Sequence, residues 1–264
     1  MDFRRIEWIF LVVFIALDIF LGYSIYQSQQ AEPISTAPDV EIMQEIKRDQ
    51  ISLPKLSTKT PKGAFLATQP NTDLYQQAKT LTGQRVTFDA TRTKLSSTLV
   101  SPLAVKKSPQ DTLADWMKTT TNVLFGDQYV YAPELSSQGV VAFAQKVNAG
   151  RVYDDRAVIY FKLDNNRMVS YTQTYVTKPE QLRNLVSLVS NEDAVSTLYR
   201  DNEIPNNSKV LWTRLAYTWL LDAKGSTVYV PAWYVGIENK TSKNVVIKRV
   251  NAMTDVVIKT RTES

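Results

Sequence analysis

The chain has 264 residues, 44% of them hydrophobic and 10% aromatic, which is enough for an N-terminal apolar segment and a sizeable folded body. It contains no cysteine and no histidine, which excludes disulfides, thiolate metal sites, cysteine nucleophiles and histidine bases. The net charge of +5 comes from basic residues spread along the chain rather than clustered, so we expect attraction to an anionic membrane or wall surface rather than to nucleic acid.

The first predicted element is a transmembrane helix over residues 6–26. From Trp8 to Tyr26 the chain is almost entirely apolar, and at ~1.5 Å per residue this run covers a hydrocarbon core of ~30 Å. One carboxylate in the run, Asp18, costs about 2.5 to 3.5 kcal/mol at the centre of the bilayer. The surrounding Ile, Leu, Phe and Val side chains outweigh this cost, so insertion is favoured.

The flanking charges predict the orientation of this helix. Arg4 and Arg5 precede it, and no basic residue follows until Lys47. The positive-inside rule therefore places residues 1–5 in the cytoplasm and the chain after residue 26 outside the cell. A cleaved signal peptide is the alternative, but no convincing small-x-small cleavage site follows the apolar run. We expect a single-pass protein of the cell membrane with an uncleaved signal anchor.

Asp18 gives the predicted membrane helix a candidate contact face, because an ionisable residue within a membrane usually faces protein rather than lipid. Gly22 follows one turn later and allows another helix to approach closely. The alternative is that Asp18 snorkels to the boundary or is protonated and has no role. The predicted contact residues for partner helices are Leu11, Phe14, Ile15, Asp18, Gly22 and Ile25.

A tether with one short helix is predicted over residues 27–70. Its first part, QSQQAEPISTAPD, is rich in Gln, Ser and Pro, which is typical of a linker. Apolar residues at near-helical spacing in VEIMQEIKRDQI predict a helix at about residues 39–51. The chain then becomes irregular and punctuated by proline, and we expect the compact region to start near residue 71.

An internal repeat organises the compact region. SPQDTLADWMK, residues 108–118, aligns without a gap with SNEDAVSTLYR, residues 190–200. Each copy has a serine at an N-cap position and an aspartate three residues later, as in a capping box, and the first copy has proline at the favoured first helical position. Asp111, Glu192 and Asp193 are therefore interpreted as helix-start residues rather than as paired catalytic acids.

Each predicted helix is followed by an antiparallel meander. After the first come VVAFAQKV, DRAVIYFKL and MVSYTQTYV, separated by the turn sequences NAG and DNNR. After the second, two long strands joined by DAKG precede NVVIKRV and VVIKT. The side chains expected to share one face are Ala157, Ile159, Phe161 and Leu163 in the first meander, and Leu211, Leu215, Tyr217, Trp219 and Leu221 in the second.

The expected fold is therefore α+β. After the membrane helix, an elongated extracytoplasmic body contains two repeated lobes, each a curved antiparallel sheet packed on a helix. The first lobe covers residues 71–178 and the second covers residues 179–264.

No motif of cofactor or metalloprotease chemistry was found: GxGxxG, P-loop and HExxH patterns are all missing. Asp154 and Asp155 are adjacent, but on a strand their side chains point to opposite faces and form no acid and base pair. We therefore assign no catalytic, cofactor or metal residues and expect a protein that is not an enzyme. Four aromatic residues line either a ligand groove or, as is commoner at strand spacing, the core: Trp212, Trp219, Trp233 and Tyr234.

Two stretches carry a family resemblance: the opening MDFRRIEWIFLVVFIALDIFLGY and the closing VYVPAWYVGIENKTSKNVVIKRVNAMTDVVI. The chain resembles the YycI (WalI) family of two-component system regulatory proteins over essentially its whole length, and these two stretches are the most specific part of the resemblance. The last strands are also similar to PepSY-type modules, in which an NA-x-T-G turn joins two strands. Here Asp255 stands where glycine is usual.

The resemblance implies a function in signalling. Proteins of this family lie beside the WalK (YycG) histidine kinase with YycH, a partner of the same architecture, and modulate the kinase that controls cell-wall metabolism. The implied partners are a YycH-like protein and WalK. No binding of nucleic acid is expected, and whether the chain also forms a homodimer is left open. The alternative is an exported PepSY-like binding module that captures a peptide, a protease or a wall fragment without contacting a kinase.

Overall fold

The computed structural model describes residues 8, 11, 13–21, 37–105, 108–177 and 179–259. The chain divides into two compact units, Met1–Asp49 and Gln50–Ser264. The described part of the first unit is mainly helical, with α1 (residues 13–21) and α2 (Ala37–Arg48). The helix predicted at 39–51 is thus present but ends three residues earlier. Its last turn carries two basic residues, which interact favourably with the carbonyl end of a helix.

The second unit consists mainly of strands. In chain order its elements are β1 (Lys62–Gly63), β2 (Leu66–Thr68), α3 (Asp73–Gln77), β3 (Gln84–Phe88), β4 (Lys94–Ala104), α4 (Pro109–Met117), β5 (Tyr129–Tyr131), β6 (Val140–Val147), β7 (Gly150–Arg151), β8 (Val158–Asp164), β9 (Arg167–Thr174), β10 (Glu180–Gln181), β11 (Val186–Ser187), α5 (Asn191–Arg200), β12 (Ser208–Ala223), β13 (Ser226–Asn239), β14 (Val245–Asn251) and β15 (Val256–Ile258).

The first sheet is antiparallel, with strand order β3-β4-β9-β8-β6-β5 and β7 paired to β6. Helix α4 covers one face of it and buries Leu113 and Met117 in the core of this sheet. Trp116 extends the contact, because its ring meets the ring of Phe161 edge to face at 6.2 Å between centroids. The predicted shared face is confirmed for Ile159, Phe161 and Leu163, which all pack in this core, whereas Ala157 precedes β8 and packs in a neighbouring cluster.

The second sheet has the order β10-β2-β13-β14-β15, and β12 pairs along the whole length of β13. Helix α5 packs against β13, β14 and β15 and buries Val195 and Leu198 completely. In both sheets a helix is therefore followed by strands that pair in chain order: β5, β6, β8 and β9 after α4, and β12 to β15 after α5. The expectation of antiparallel sheets packed on helices is confirmed.

The structure differs from the predicted tether within residues 50–70. Here β1 pairs with β11, and β2 lies between β10 and β13, where Leu66 is buried. These strands have only two and three residues and are surrounded by prolines, so they show no alternating pattern. The first sheet also contains β3 and β4, which precede the repeat and extend the sheet beyond β9.

The two helix starts of the repeat differ. Ser190 forms the predicted capping box: its hydroxyl accepts from the Asp193 backbone N–H at 3.1 Å, and its own N–H donates to the Asp193 carboxylate at 3.0 Å. The hydroxyl of Ser108 makes no cap hydrogen bond, so the prediction is wrong for the first copy. There the backbone N–H of Asp111 donates to the Ser108 carbonyl instead, at 3.2 Å.

The predicted shared face of β12 is interrupted by two irregularities of register, between Val210 and Trp212 and between Trp219 and Leu221. An extra residue in one strand shifts the following side chains to the other face. Tyr217 is buried as expected, whereas Leu221 is 42% exposed. Strict alternation therefore fails at the end of the strand.

The turn between β14 and β15 keeps the geometry that glycine usually supplies. Asp255 has φ 54°, in the left-handed region that aspartate tolerates better than most residues. Its carboxylate accepts from the Thr197 hydroxyl at 2.7 Å and lies 3.6 Å from the Arg200 guanidinium. The turn is thereby bonded to α5.

Candidate functional site

The two sheets of the second unit meet along β12 and the loops around β7. The backbone N–H of Tyr153 donates to the Tyr217 carbonyl at 2.8 Å, next to a parallel bridge between Val152 and Tyr217. One of the buried clusters at the junction contains four alanines, and these small side chains allow the two sheets to approach closely. The buried members of this cluster are Ala132, Ala144, Tyr153, Ala216, Ala232 and Tyr234.

A carboxylate from the turn between β5 and β6 of the first sheet is buried at this junction and bound by an arginine on β12 of the second. The Glu134 side chain is 2% exposed, and the Arg214 guanidinium binds one of its oxygens at 2.6 and 2.8 Å. The Tyr153 hydroxyl donates to the other oxygen at 2.9 Å. Burial raises the pKa of Tyr153 to about 12, so this hydroxyl stays a donor at neutral pH.

Next to the junction, the same unit has a cleft of about 310 Å³. Such a volume lies at the lower end of the ~300–1,000 Å³ usual for ligand pockets. Residues from both sheets and from the loops after β2 and β3 form its walls. They are Thr68, Gln69, Pro70, Asn71, Thr91, Thr93, Arg156, Thr174, Tyr175, Val176, Thr227 and Tyr229.

Side-chain amides hold the backbone of one cleft wall in place. The Asn71 amide donates to the Tyr175 carbonyl at 2.9 Å. The buried Gln145 amide donates to the Val176 carbonyl at 2.8 Å and accepts from its N–H at 2.9 Å. Because these backbone groups of Tyr175 and Val176 already have partners, the shape of this wall is largely preformed.

Arg156 is the cation of the cleft, and two acids surround it. Its guanidinium lies 3.2 Å from the Asp222 carboxylate, 3.9 Å from that of Asp154 and 5.6 Å from the ring centroid of Trp219. Burial raises the pKa of Asp154, while the Arg156 backbone and guanidinium act in the opposite direction. The positive charge of Arg156 is therefore largely compensated within the protein.

Asp154 and Asp155 lie in a turn between β7 and β8 and not on a strand. Asp154 accepts from the Arg156 backbone N–H at 3.0 Å, and Asp155 accepts from the Tyr160 hydroxyl at 3.0 Å. Each carboxylate thus stabilises the turn that presents Arg156. Sequence reasoning considered the two acids but missed Arg156, whose neighbours come from distant strands.

The four aromatic residues considered for a groove are mostly packing residues. Tyr234 is 4% exposed and donates to the Tyr153 carbonyl at 2.9 Å, and the Trp233 indole donates to the Val189 carbonyl at 2.9 Å. Trp212 packs on the alanine-rich cluster and Trp219 on the neighbouring one. The core interpretation fits them better, and the cleft is lined instead by Tyr175 and Tyr229.

The predicted membrane-helix contact residues are only partly described. Phe14, Ile15 and Asp18 belong to α1 and are exposed, as is Leu11, which is also helical. The other predicted residues, Gly22 and Ile25 with the topology residues Arg4 and Arg5, lie outside the described residues. Within the part of the chain that the structure describes, no helix is both long and apolar enough to cross a membrane.

Several solved structures resemble the fold at low sequence identity. An uncharacterized protein from Eubacterium rectale has 9% identity and a TM-score of 0.49, with 80% of this chain and 90% of that chain covered. YycH from Bacillus subtilis has 13% identity and a TM-score of 0.44, with 80% and 62% covered. The YpeB C-terminal domain from Bacillus megaterium has 14% identity and a TM-score of 0.38, with 86% and 96% covered.

The search of curated proteins found no match. A family comparison is more informative, because the sequence model of one family, described as YycI protein, matches residues 29–253. This match includes the strands from β1 to β14 and the preceding sequence from residue 29. The chain therefore belongs to the YycI protein family.

Proposed function

We propose that this chain is a membrane-anchored extracytoplasmic regulator that modulates the WalK (YycG) sensor histidine kinase together with YycH, and thereby cell-wall metabolism. The observation that carries the proposal is the family match over residues 29–253, because YycI proteins are a regulatory family rather than a known enzyme family. Among the described residues, no group of three or more acidic side chains is placed to hold a metal ion.

The exposed side chains of α1 support the membrane anchor in this proposal. Every described side chain from residue 13 to residue 21 is exposed, including Phe14 at 62%, Ile19 at 67% and Phe20 at 68%. Large apolar side chains gathered on one exposed helix favour an apolar environment, either lipid or other helices. Arg4 and Arg5 orient the helix with the N-terminus in the cytoplasm.

The proposed contact face of this helix is tested with substitutions at Asp18 and Gly22. Asp18→Leu should favour insertion by about 3 kcal/mol and yet weaken assembly, since an interhelical hydrogen bond contributes about 0.6 kcal/mol on average. Asp18→Asn keeps the hydrogen-bonding capacity and should retain more signalling. Gly22→Leu should disrupt the contact by bulk. The measurements are in-membrane crosslinking to WalK and YycH and a WalR-dependent reporter, at matched protein levels.

Ala16→Leu is the matched control, because it adds bulk on the opposite side of the same helix. It should crosslink and signal like the parent. If the variants at Asp18 and Gly22 also behave like the parent, the membrane helix is only an anchor and the proposed contact face is wrong.

The cleft favours a second candidate function, an exported PepSY-like module that binds a small ligand. Under this alternative the exterior of the protein is sufficient, and the anchor only holds it at the membrane. Replacing residues 6–26 with an unrelated membrane helix separates the two. Loss of reporter output supports the kinase contact through the helix, whereas full output supports a function located in the exterior.

A further inference from the structure

The floor of the cleft contains a buried hydroxyl that makes no well-formed hydrogen bond. Tyr229 is 1% exposed and lines the cleft, and its hydroxyl lies beside the side chains of Thr68 and Arg156 without a hydrogen bond of normal geometry to either. Burial raises the pKa of Tyr229, so the hydroxyl keeps its proton and is a donor. A buried donor without a well-placed acceptor costs free energy, up to ~1 to 3 kcal/mol when the acceptor is fully absent.

Three threonine hydroxyls at the rim of the cleft are available as acceptors rather than as donors. The Thr227 hydroxyl donates to the Asp222 carboxylate at 2.8 Å, and the hydroxyls of Thr91 and Thr93 donate to Asp89. A hydroxyl that has used its proton can offer a further partner only its oxygen lone pairs. The cleft therefore combines a donor in its floor with acceptors at its rim.

The charges around the cleft favour an uncharged ligand. Arg156 is close to Asp222 and Asp154, so little net positive charge is left to hold an anion. The guanidinium has further N–H groups, since it carries five in total, and these can donate to a neutral oxygen. An amide group matches this arrangement, because it has one carbonyl acceptor and one N–H donor and carries no charge.

We propose that this cleft is a binding site for a small uncharged ligand with a secondary amide, whose carbonyl accepts from the Tyr229 hydroxyl and the Arg156 guanidinium and whose N–H donates to the threonine oxygens of the rim. Peptides and acetamido sugars both carry this group. The proposal is separate from the kinase contact, since it concerns only the second unit and requires no partner protein.

The test uses the full chain in lipid nanodiscs and saturation-transfer NMR with three probes at millimolar concentration. The probes are N-acetyl-alanyl-alanine methylamide, N-acetylglucosamine and acetate. We expect one of the two amide probes to bind, which identifies the source of the amide, and acetate to bind more weakly.

Tyr229→Phe should weaken the binding about 10-fold, which corresponds to the loss of one well-formed hydrogen bond. Its melting temperature should change little, because the hydroxyl makes no hydrogen bond of normal geometry within the described part of the chain.

Tyr171→Phe is the matched control for removal of a hydroxyl. Its hydroxyl donates to the Asn122 carbonyl at 3.0 Å and lies outside the cleft lining. The control should lower the melting temperature and leave probe binding unchanged. The proposal is overturned if neither amide probe binds, if acetate binds more tightly than both, or if Tyr229→Phe binds the amide probe as well as the parent does.

Discussion

Ser190 and Ser108 occupy equivalent positions of the repeat, yet they act differently. Ser190 is 1% exposed and exchanges hydrogen bonds with Asp193, whereas Ser108 contributes only its backbone carbonyl to the start of α4. Acidic residues near α5 have similar local roles: Asp193 completes the cap, and Asp255 accepts from Thr197. At the scale of single residues, hydrogen-bond geometry decides the role of a polar side chain, and residue type alone does not.

We predict that Ser190→Ala lowers the free energy of unfolding by about 1 kcal/mol, because the first turn of α5 loses its side-chain cap. Ser108→Ala is the control and should change it by less than about 0.5 kcal/mol, since no cap hydrogen bond is lost. Urea denaturation followed by circular dichroism measures both. Equal losses for the two variants would show that the difference between the caps has no energetic consequence.

At the scale of elements, the long β12–β13 hairpin depends on one glycine. Gly236 pairs with Trp212 across the two strands, and a Cβ added at Gly236 would lie 2.4 Å from Cε2 of the indole ring. The missing side chain lets the indole lie across β13, and the indole packs against the alanine-rich cluster. Register and packing of this hairpin are therefore coupled at a single cross-strand pair.

We predict that Gly236→Ala destabilises the protein by about 1 to 3 kcal/mol, because the added methyl group forces the indole out of its position. In a Trp212→Ala background the same substitution should cost much less, since the obstructing ring is absent. Unfolding free energies of the parent, both single variants and the double variant complete the cycle. Strict additivity would contradict steric conflict as the cause.

At the scale of the whole second unit, the ion pair between Glu134 and Arg214 connects the two sheets. The carboxylate is buried while the Arg214 side chain is 40% exposed, so loss of the acid leaves a cation that water can still reach. The pair lies beside the backbone hydrogen bond from Tyr153 to Tyr217. Together these contacts hold the junction from which the cleft extends.

We predict that Glu134→Ala lowers the free energy of unfolding by about 2 kcal/mol, less than the ~3 to 5 kcal/mol of a fully buried pair, because Arg214 is partly solvated. Amide hydrogen exchange at Tyr153 should become faster, since its backbone bond lies at the weakened junction. Asp115→Ala breaks an exposed pair with Lys118 and should cost less than about 0.5 kcal/mol. Unchanged exchange at Tyr153 would show that the pair does not stabilise the junction.

The sequence by itself determined the two helices of the repeat and the order of the strands that follow them. Capping residues and period-2 alternation predicted α4, α5 and the two meanders, and the antiparallel sheets packed on helices follow from that pattern. Signals of this kind lie within a few residues of one another, so they can be read without knowledge of the fold. The closing motif also led to the family that the comparison then showed. The contact face around Asp18 stays a prediction.

Only the tertiary structure decided where the two sheets meet and what lies at their junction. Glu134 and Arg214 are 80 residues apart in the chain, and Arg156 and Asp222 are 66 apart. No local pattern indicates that such residues will be neighbours, because their contact depends on how two complete sheets pack. Tyr229 shows the same limit: in the sequence it is one more aromatic residue of an apolar strand, and only the packing around it leaves its hydroxyl buried in the cleft without a hydrogen bond of normal geometry.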